Sequence, residues 1–380
     1  MTAMTDCNIL YFQAGGPTAV INASFQGLYE EYKKKNLPGS FYVSPYGVEG
    51  ILNDKLKKLS DIGSDKIGHM NGSYFGSARK KLPISPLDPE AKKIIEVLKK
   101  NHIGYLFVNG GNDTMNTAML ISSYAEYYHS PIVAIGIPKT VDNDLDVTDH
   151  TPGYGSAALY ISSCITAIRR DDFSYEKGRI NIVEVMGRDS GYLAASSYLT
   201  EEKKPDFIYV PEVSFDIDVC MKKAISVYEK TGHCLIVVSE GIRDKDGNLI
   251  SALSKKDEFG NVQMGGVGSY LSSLFASKGY KTRAIELSLI QRASYFLVSP
   301  TDYKEAKNCG RQALRLALHN KRGVMVTIER LSSDPYKVRY SYTDLKKVGD
   351  HSVSLPLKYI NREKDNINPS FANYLKPLIS

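Results

Sequence analysis

Asp142 and Asp144 stand two residues apart in the stretch PKTVDNDLD, which follows an apolar run ending at Pro138. A pair so placed can divide labour between accepting a proton and holding Mg2+. The same spacing also serves an Asx turn, in which the carboxylates bond only backbone. Two other stretches, QAGGPTAVIN (13–22) and NGGNDT (109–114), join a glycine pair to the start of an amphipathic run. Bare N–H groups at the positive end of a helix suit an anion such as phosphate, although glycine pairs also make ordinary turns. The second stretch carries an oddity: Asn112 and Asp113 follow its glycines, and a carboxylate is a poor neighbour for phosphate. Basic residues sit where they could answer such an anion. Arg79 lies in GSARKKLP, Arg179 and Arg188 flank INIVEVMG, and Arg283 and Arg292 lie in KTRAIELSLIQRAS. Each is a solvated surface residue or one fork of a phosphate grip.

These residues need elements to aim them. NILYF (8–12) reads as a buried strand, followed by Val20, Ile21, Phe25, Leu28 and Tyr32 at helical spacing. YLFV (105–108) leads through NGGND into a helix with Met115, Ala118, Met119, Ile121 and Ala125 on one side. IVAIGI (132–137), INIVEVM (180–186), CLIVVS (234–239) and VMVTI (324–328) have the β-branched content of buried parallel strands. Strand, loop and helix in repetition predict an α/β protein with doubly wound sheets, whose ligands bind at the carboxyl ends of the strands. DHTPGYGS marks a change of domain near 150–156, before the helix AALYISSCITAIRR. The charged stretches EYKKKNLPG and SALSKKDEFGN read as solvated helix ends and turns.

A chain of 380 residues exceeds one ordinary core and suits two α/β domains. Hydrophobic residues at 42% and charged residues at 24% describe a soluble globular protein. The net charge of +6 is spread along the chain, without a basic arm for nucleic acid, so small anions are the expected partners. Five scattered cysteines without a CxxC pair suggest reduced thiols and a cytoplasmic setting. MTAMTDCNILYF lacks the pattern of a signal peptide, and no apolar run approaches the roughly 20 residues that cross a bilayer. The glycine loops also lack GxGxxG, which disfavours a nicotinamide dehydrogenase.

Taken in order, GGPTAVIN, GSARKKLP, GGNDT, PKTVDND, TPGYGSAA, EVMGRDSG, SEG and TRA…IQR resemble the phosphofructokinase family from about residue 8 to about 295. The tail YLKPLI is similar to its pyrophosphate-using branch. The resemblance implies two α/β domains facing each other across a cleft: a donor and Mg2+ domain at 1–154 plus about 291–340, and a sugar-phosphate domain at 155–290 plus about 341–380. It implies Asp142 as the base that takes the proton of the sugar's C1 hydroxyl, Asp144 and Asn112 at the metal, and Thr140 at the transferring phosphate. Gly16 and Gly111 would face the donor phosphates, and Arg79 would bridge donor and sugar. Met186, Gly187, Arg188 and Glu240 would bind fructose 6-phosphate, with Arg179, Arg283 and Arg292 at the sugar and its 6-phosphate. Arg179 and Arg283 would come from a neighbouring subunit, making the protein a homodimer or homotetramer with shared sites.

The same resemblance explains the acid. ATP-using relatives carry glycine at the positions of Asp113 and Lys139. Asp113 would fill the space of the α-phosphate and repel it, while Lys139 offers a compact charge to a donor that ends after two phosphates. At about 4 Å and an effective dielectric near 20, one charge pair is worth up to about 4 kcal/mol. Pyrophosphate is therefore the expected donor. Three departures stand out. Asn112 replaces the family's usual aspartate, Leu289 replaces a histidine or tyrosine near the 6-phosphate, and Gln26 and Glu30 replace two effector-binding arginines of bacterial ATP-using relatives. The last predicts an enzyme without that nucleotide effector site.

Overall fold

The computed structural model describes residues 7–60, 63–253, 266–349 and 352–380. The stretch MTAMTD and most of SALSKKDEFGN lie outside them. The chain divides into two compact units, Met1–Tyr154 with Val298–Ser352 and Gly155–Leu297 with Val353–Ser380.

The first unit is built on a seven-stranded sheet in the order β11-β10-β5-β4-β1-β2-β3. Its strands are β1 (Asn8–Gln13), β2 (Phe41–Val43), β3 (Lys57–Lys58), β4 (Ile103–Gly110), β5 (Val133–Pro138), β10 (Val324–Ser333) and β11 (Tyr336–Asp344). The strands between the edges run parallel; β3 and β11 close them antiparallel. Alternation along each strand feeds both faces, as a doubly covered parallel sheet requires. Leu10 and Phe12 of β1 join Leu106 and Val108 of β4 in one core, while Ile9 and Tyr11 join Tyr105 and Phe107 in the other. Helices α1 (Ile21–Lys34), α2 (Pro89–Lys100), α3 (Asn112–Tyr127) and α8 (Pro300–Leu318) supply the covering side chains.

The second unit holds a four-stranded parallel sheet, β7-β8-β6-β9, from β6 (Ile180–Val185), β7 (Phe207–Tyr209), β8 (Cys234–Ser239) and β9 (Thr282–Glu286). Its helices include α4 (Tyr154–Asp172), α5 (Ile217–Thr231), α6 (Val267–Ser277) and the short α7 (Ile290–Ala293).

The segment returning to the first unit is 298–352, where about 291–340 was expected. Two features account for the difference. The turn of α7 is held to the second unit, because Gln291 Oε1 accepts from the Met186 N–H at 3.3 Å. The polar run after 335 is β11, which pairs with β10 along its length, so the chain leaves the large sheet only after that strand. Among the described residues no helix is long and apolar enough to cross a membrane.

Candidate active site

In the first unit the loops after β1, β4 and β5 leave the same edge of the sheet, because these strands are parallel and adjacent. The loop after β1 turns at Gly15, whose φ of +77° suits glycine, and a Cβ there would lie 3.3 Å from Lys139 Nζ. Lys139 is 4% exposed and donates to the Gly16 carbonyl at 2.6 Å. The lysine thus brings its charge from the β5 loop into the glycine loop of β1. The loop that carries Arg79 docks on the same place, since Ser77 Oγ donates to the Gly15 carbonyl at 2.6 Å. Arg79 itself is exposed.

The β4 loop passes directly into α3, with Gly111 at the N-cap. The leading N–H groups of a helix have no partner within it, which leaves them for an anion. Asn112 and Asp113 are the first two helical residues, and Asp113 is exposed. Asn112 Nδ2 donates to Asp144 Oδ2 at 2.9 Å and to Ser352 Oγ at 3.2 Å, and Ser352 Oγ donates to the same Asp144 oxygen at 3.2 Å. Burial pushes the Asp144 carboxyl up, against hydrogen bonds from Ser352, Thr140 and Asn112. Thr140 Oγ1 accepts from the Asp142 N–H at 3.1 Å. Between the two aspartates Asn143 adopts φ +57°, a left-handed turn that asparagine tolerates.

Asn112 Oδ1 is buried and has no hydrogen-bond partner. A bare amide oxygen next to a carboxylate is a donor set that fits Mg2+, which takes hard oxygens and accepts the rest from phosphate and water. Among the described residues no cluster of three or more His, Cys, Asp or Glu could hold a metal alone.

In the second unit Gly187 has φ +125°, and a Cβ there would come within 2.5 Å of the Ser190 carbonyl oxygen. Its N–H donates to Glu240 Oε1 at 3.4 Å, and Ser239 Oγ donates to its carbonyl. Burial raises the Glu240 carboxyl, while the Gly187 N–H and the charges of Arg188 and Arg292 oppose the rise. Met186, Gly187, Arg188, Glu240 and Arg292 therefore gather at the carboxyl end of β6 and β8. Arg179 and Arg283 do not. Arg179 precedes β6, and Arg283 on the edge strand β9 is register partner to Asn181 near its start. At about 3.3 Å per residue, about five to seven residues of strand put the backbones of these arginines roughly 17–23 Å from the other group within the chain. Leu289 is 61% exposed.

Gln26, which is buried, and the half-buried Glu30 are both engaged along α1. Glu30 pairs with Lys307 and Arg311, each at 2.8 Å, and Gln26 Nε2 donates to Glu30 Oε1 at 2.7 Å. Ser352 and Gln291 were not foreseen. Ser352 lies 240 residues from Asn112, and a serine in a polar tail carries no local signal of such a contact.

An anion cradle beside two aspartates is the equipment of phosphoryl transfer, which needs positioning and charge more than covalent help. The chain belongs to the phosphofructokinase family, whose sequence profile matches residues 8–317. It is 34% identical to the pyrophosphate–fructose 6-phosphate 1-phosphotransferase of Xanthomonas campestris, over 99% of this chain and 92% of that one. It is 33% identical to a sulfofructose kinase of Alkalicoccus urumqiensis, over 93% and 91%. The crystal structure of a pyrophosphate-dependent phosphofructokinase from Nitrosospira multiformis superposes with a TM-score of 0.88 at 33% identity, covering 99% of this chain and 92% of that one.

Proposed function

We propose that the protein transfers a phosphoryl group reversibly from pyrophosphate to the C1 hydroxyl of fructose 6-phosphate, giving fructose 1,6-bisphosphate and phosphate. The observation that carries the choice of donor is the presence together of Asp113 in the first turn of α3 and of Lys139 bound to the glycine loop of β1. The helix and glycine N–H groups at Gly16 and Gly111 receive the two phosphates, and Lys139 balances their charge. Asp113 occupies the space and the field that a longer, nucleotide-bearing donor requires. The similarity to relatives named for pyrophosphate supports the same reading.

In this reading Asp142 accepts the proton of the C1 hydroxyl as the oxygen attacks phosphorus. Thr140 holds the transferring phosphate, and Arg79 and Arg188 neutralise charge spread over its oxygens. Asn112 and Asp144 hold Mg2+, which supplies charge neutralisation at the phosphates. Met186, Gly187 and Glu240 orient the sugar, and Arg292 meets its phosphate with Arg179 and Arg283. The separation of those last two from the rest supports a homo-oligomer in which a neighbour contributes them. The setting is cytoplasmic.

A second reading keeps the donor and changes the acceptor. Leu289 presents an exposed apolar side chain between Arg283 and Arg292 in sequence, where a hydrogen-bond donor would favour a phosphate. Sedoheptulose 7-phosphate is one such acceptor, and the sulfofructose kinase among the relatives points to another anionic end group.

One assay tests both readings. Protein, Mg2+ and fructose 6-phosphate receive pyrophosphate or ATP in parallel, with the bisphosphate measured and the other two acceptors run beside it. Turnover with pyrophosphate above that with ATP is expected. Faster turnover with ATP overturns the donor, a higher kcat/KM on another acceptor overturns the sugar, and no turnover with either donor leaves a sugar-phosphate-binding subunit of a hetero-oligomer.

A further inference from the structure

The turn that carries Thr140, Asp142 and Asp144 is part of a 139–153 segment between β5 and α4 with no helix or strand of its own. Catalysis tolerates little misplacement, so something must hold this segment. Near its end lies a buried cluster of charges. His150 is 2% exposed, with Nδ1 at 2.8 Å from Asp149 Oδ2 and Nε2 at 2.6 Å from Glu305 Oε2. Glu305, on α8, is itself 2% exposed and accepts from the Tyr336 hydroxyl at 2.6 Å. Arg330 of β10 donates from Nε to Asp149 at 3.0 Å. A neutral imidazole donates from one nitrogen only, so one carboxylate would face its lone pair. Both short contacts are satisfied together by the imidazolium, which with Arg330 balances the two carboxylates.

The next residue passes this constraint to the site. Thr151 donates from N–H to Asn143 Oδ1 at 2.9 Å and from Oγ1 to the Thr140 carbonyl at 2.8 Å. Gly153 N–H donates to Asp302 Oδ1 of α8 at 2.8 Å. Asn143 is the left-handed residue between the two aspartates, so its anchor sets the direction of both carboxylates. We propose that His150, bridging Asp149 and Glu305, is a positioning residue for phosphoryl transfer, tying the Thr140–Asp144 turn to α8 through Thr151. This rests on the reaction proposed above.

The bridge has a pH signature. Burial works against the charged ring, but the charge of Glu305 and the bonds to Asp149 and Glu305 lift the His150 pKa to about 9. The groups facing the cluster from α8 are Glu305, Asp302 and Cys309, from β10 Arg330, and from β11 Tyr336 and Tyr340. The folded value lies above the unfolded one near 6.5, so the tie is present below about 6.5 and lost as pH rises through about 9.

The test measures kcat and sugar KM between about pH 6 and 10 for the wild type, His150→Gln and Glu305→Gln. His150→Gln lowers kcat about 10–100-fold at neutral pH with little change in KM. Glu305→Gln keeps a bond to Nε2 but removes a charge. It moves the alkaline fall in kcat down by about one unit or more and regains most of the wild-type kcat near pH 6. An unmoved alkaline limb, or a change confined to KM, overturns the proposal. If Glu305→Gln does not fold, NMR titration of the His150 ring in the wild type decides, and a midpoint near 6.5 overturns it. A wild type that uses ATP in place of pyrophosphate refutes the donor alone, because the limb read with ATP still tests His150. A wild type that turns over neither donor overturns both.

Discussion

The two compact units solve the placement of charge differently. In the first, Lys139, Gly16, Thr140, Asn112, Asp144 and Ser352 are linked by hydrogen bonds within one chain, across loops far apart in sequence. In the second, Met186, Gly187, Arg188, Glu240 and Arg292 share one end of the sheet, while Arg179 and Arg283 sit at the other. On the proposed reading, the first unit is the phosphoryl end, and its residues are brought together by folding alone. In the proposed reaction the second unit is the sugar end, and Arg179 and Arg283 lie away from the rest of its residues. A donor is small and its charge is met by backbone N–H groups that only a folded sheet edge can present. A sugar phosphate is longer, and the proposed homo-oligomer would bring arginine forks from a second copy to its far end.

The strongest break in this comparison is at Asp142. Asp142→Ser removes the only proposed proton acceptor of the first unit and leaves the second untouched. The expected result is a fall in kcat of about 100- to 10,000-fold, with sugar binding by calorimetry preserved. A near-normal kcat would move the base elsewhere and dissolve the division between the units.

A smaller effect is expected at the donor position. Asp113→Gly with Lys139→Gly opens the space and removes the field that oppose a nucleotide. The ratio of kcat/KM for ATP to that for pyrophosphate should rise by about 100-fold, within the roughly 4 kcal/mol available to one charge pair. Steady-state kinetics with both donors reads this directly. An unchanged ratio means that Asp113 and Lys139 do not choose the donor.

Much of both sheets could be read from the sequence. β1, β4, β5, β6 and β8 are covered on both faces, and full burial writes itself as a continuous apolar run. Glycines and aspartates that directly follow those runs lie at the carboxyl edge of the sheet, because each run ends where its strand ends. The short strands β2, β7 and β9 left little trace, because three to five residues hold too little periodicity. β11 was missed for another reason. Tyr336–Asp344 pairs only with β10 at the sheet edge, so its polar residues face solvent and mimic a loop. Ser352 and Glu305 were illegible in principle, since what recruits them is a contact made only after the chain returns to the first unit.

The smallest expected effect is also the one that separates the two halves most directly. Arg283→Ala should raise the KM for fructose 6-phosphate about 10-fold or more, as the loss of one charge-assisted contact to phosphate implies. A lone arginine contributing inside its own subunit would do the same, so the single variant does not decide. Mixing Arg283→Ala with Asp142→Ser does. If Arg283 serves a neighbour's site, a heterodimer places both defects in one site and leaves the other site whole. Assayed at fructose 6-phosphate well below KM, where both parents are slow, the two variants unfolded and refolded together should then restore about a quarter of the wild-type activity, since half of the dimers are mixed and each has one intact site of two. If each chain uses its own Arg283, every site keeps one defect and the mixture stays as slow as the average of its parts.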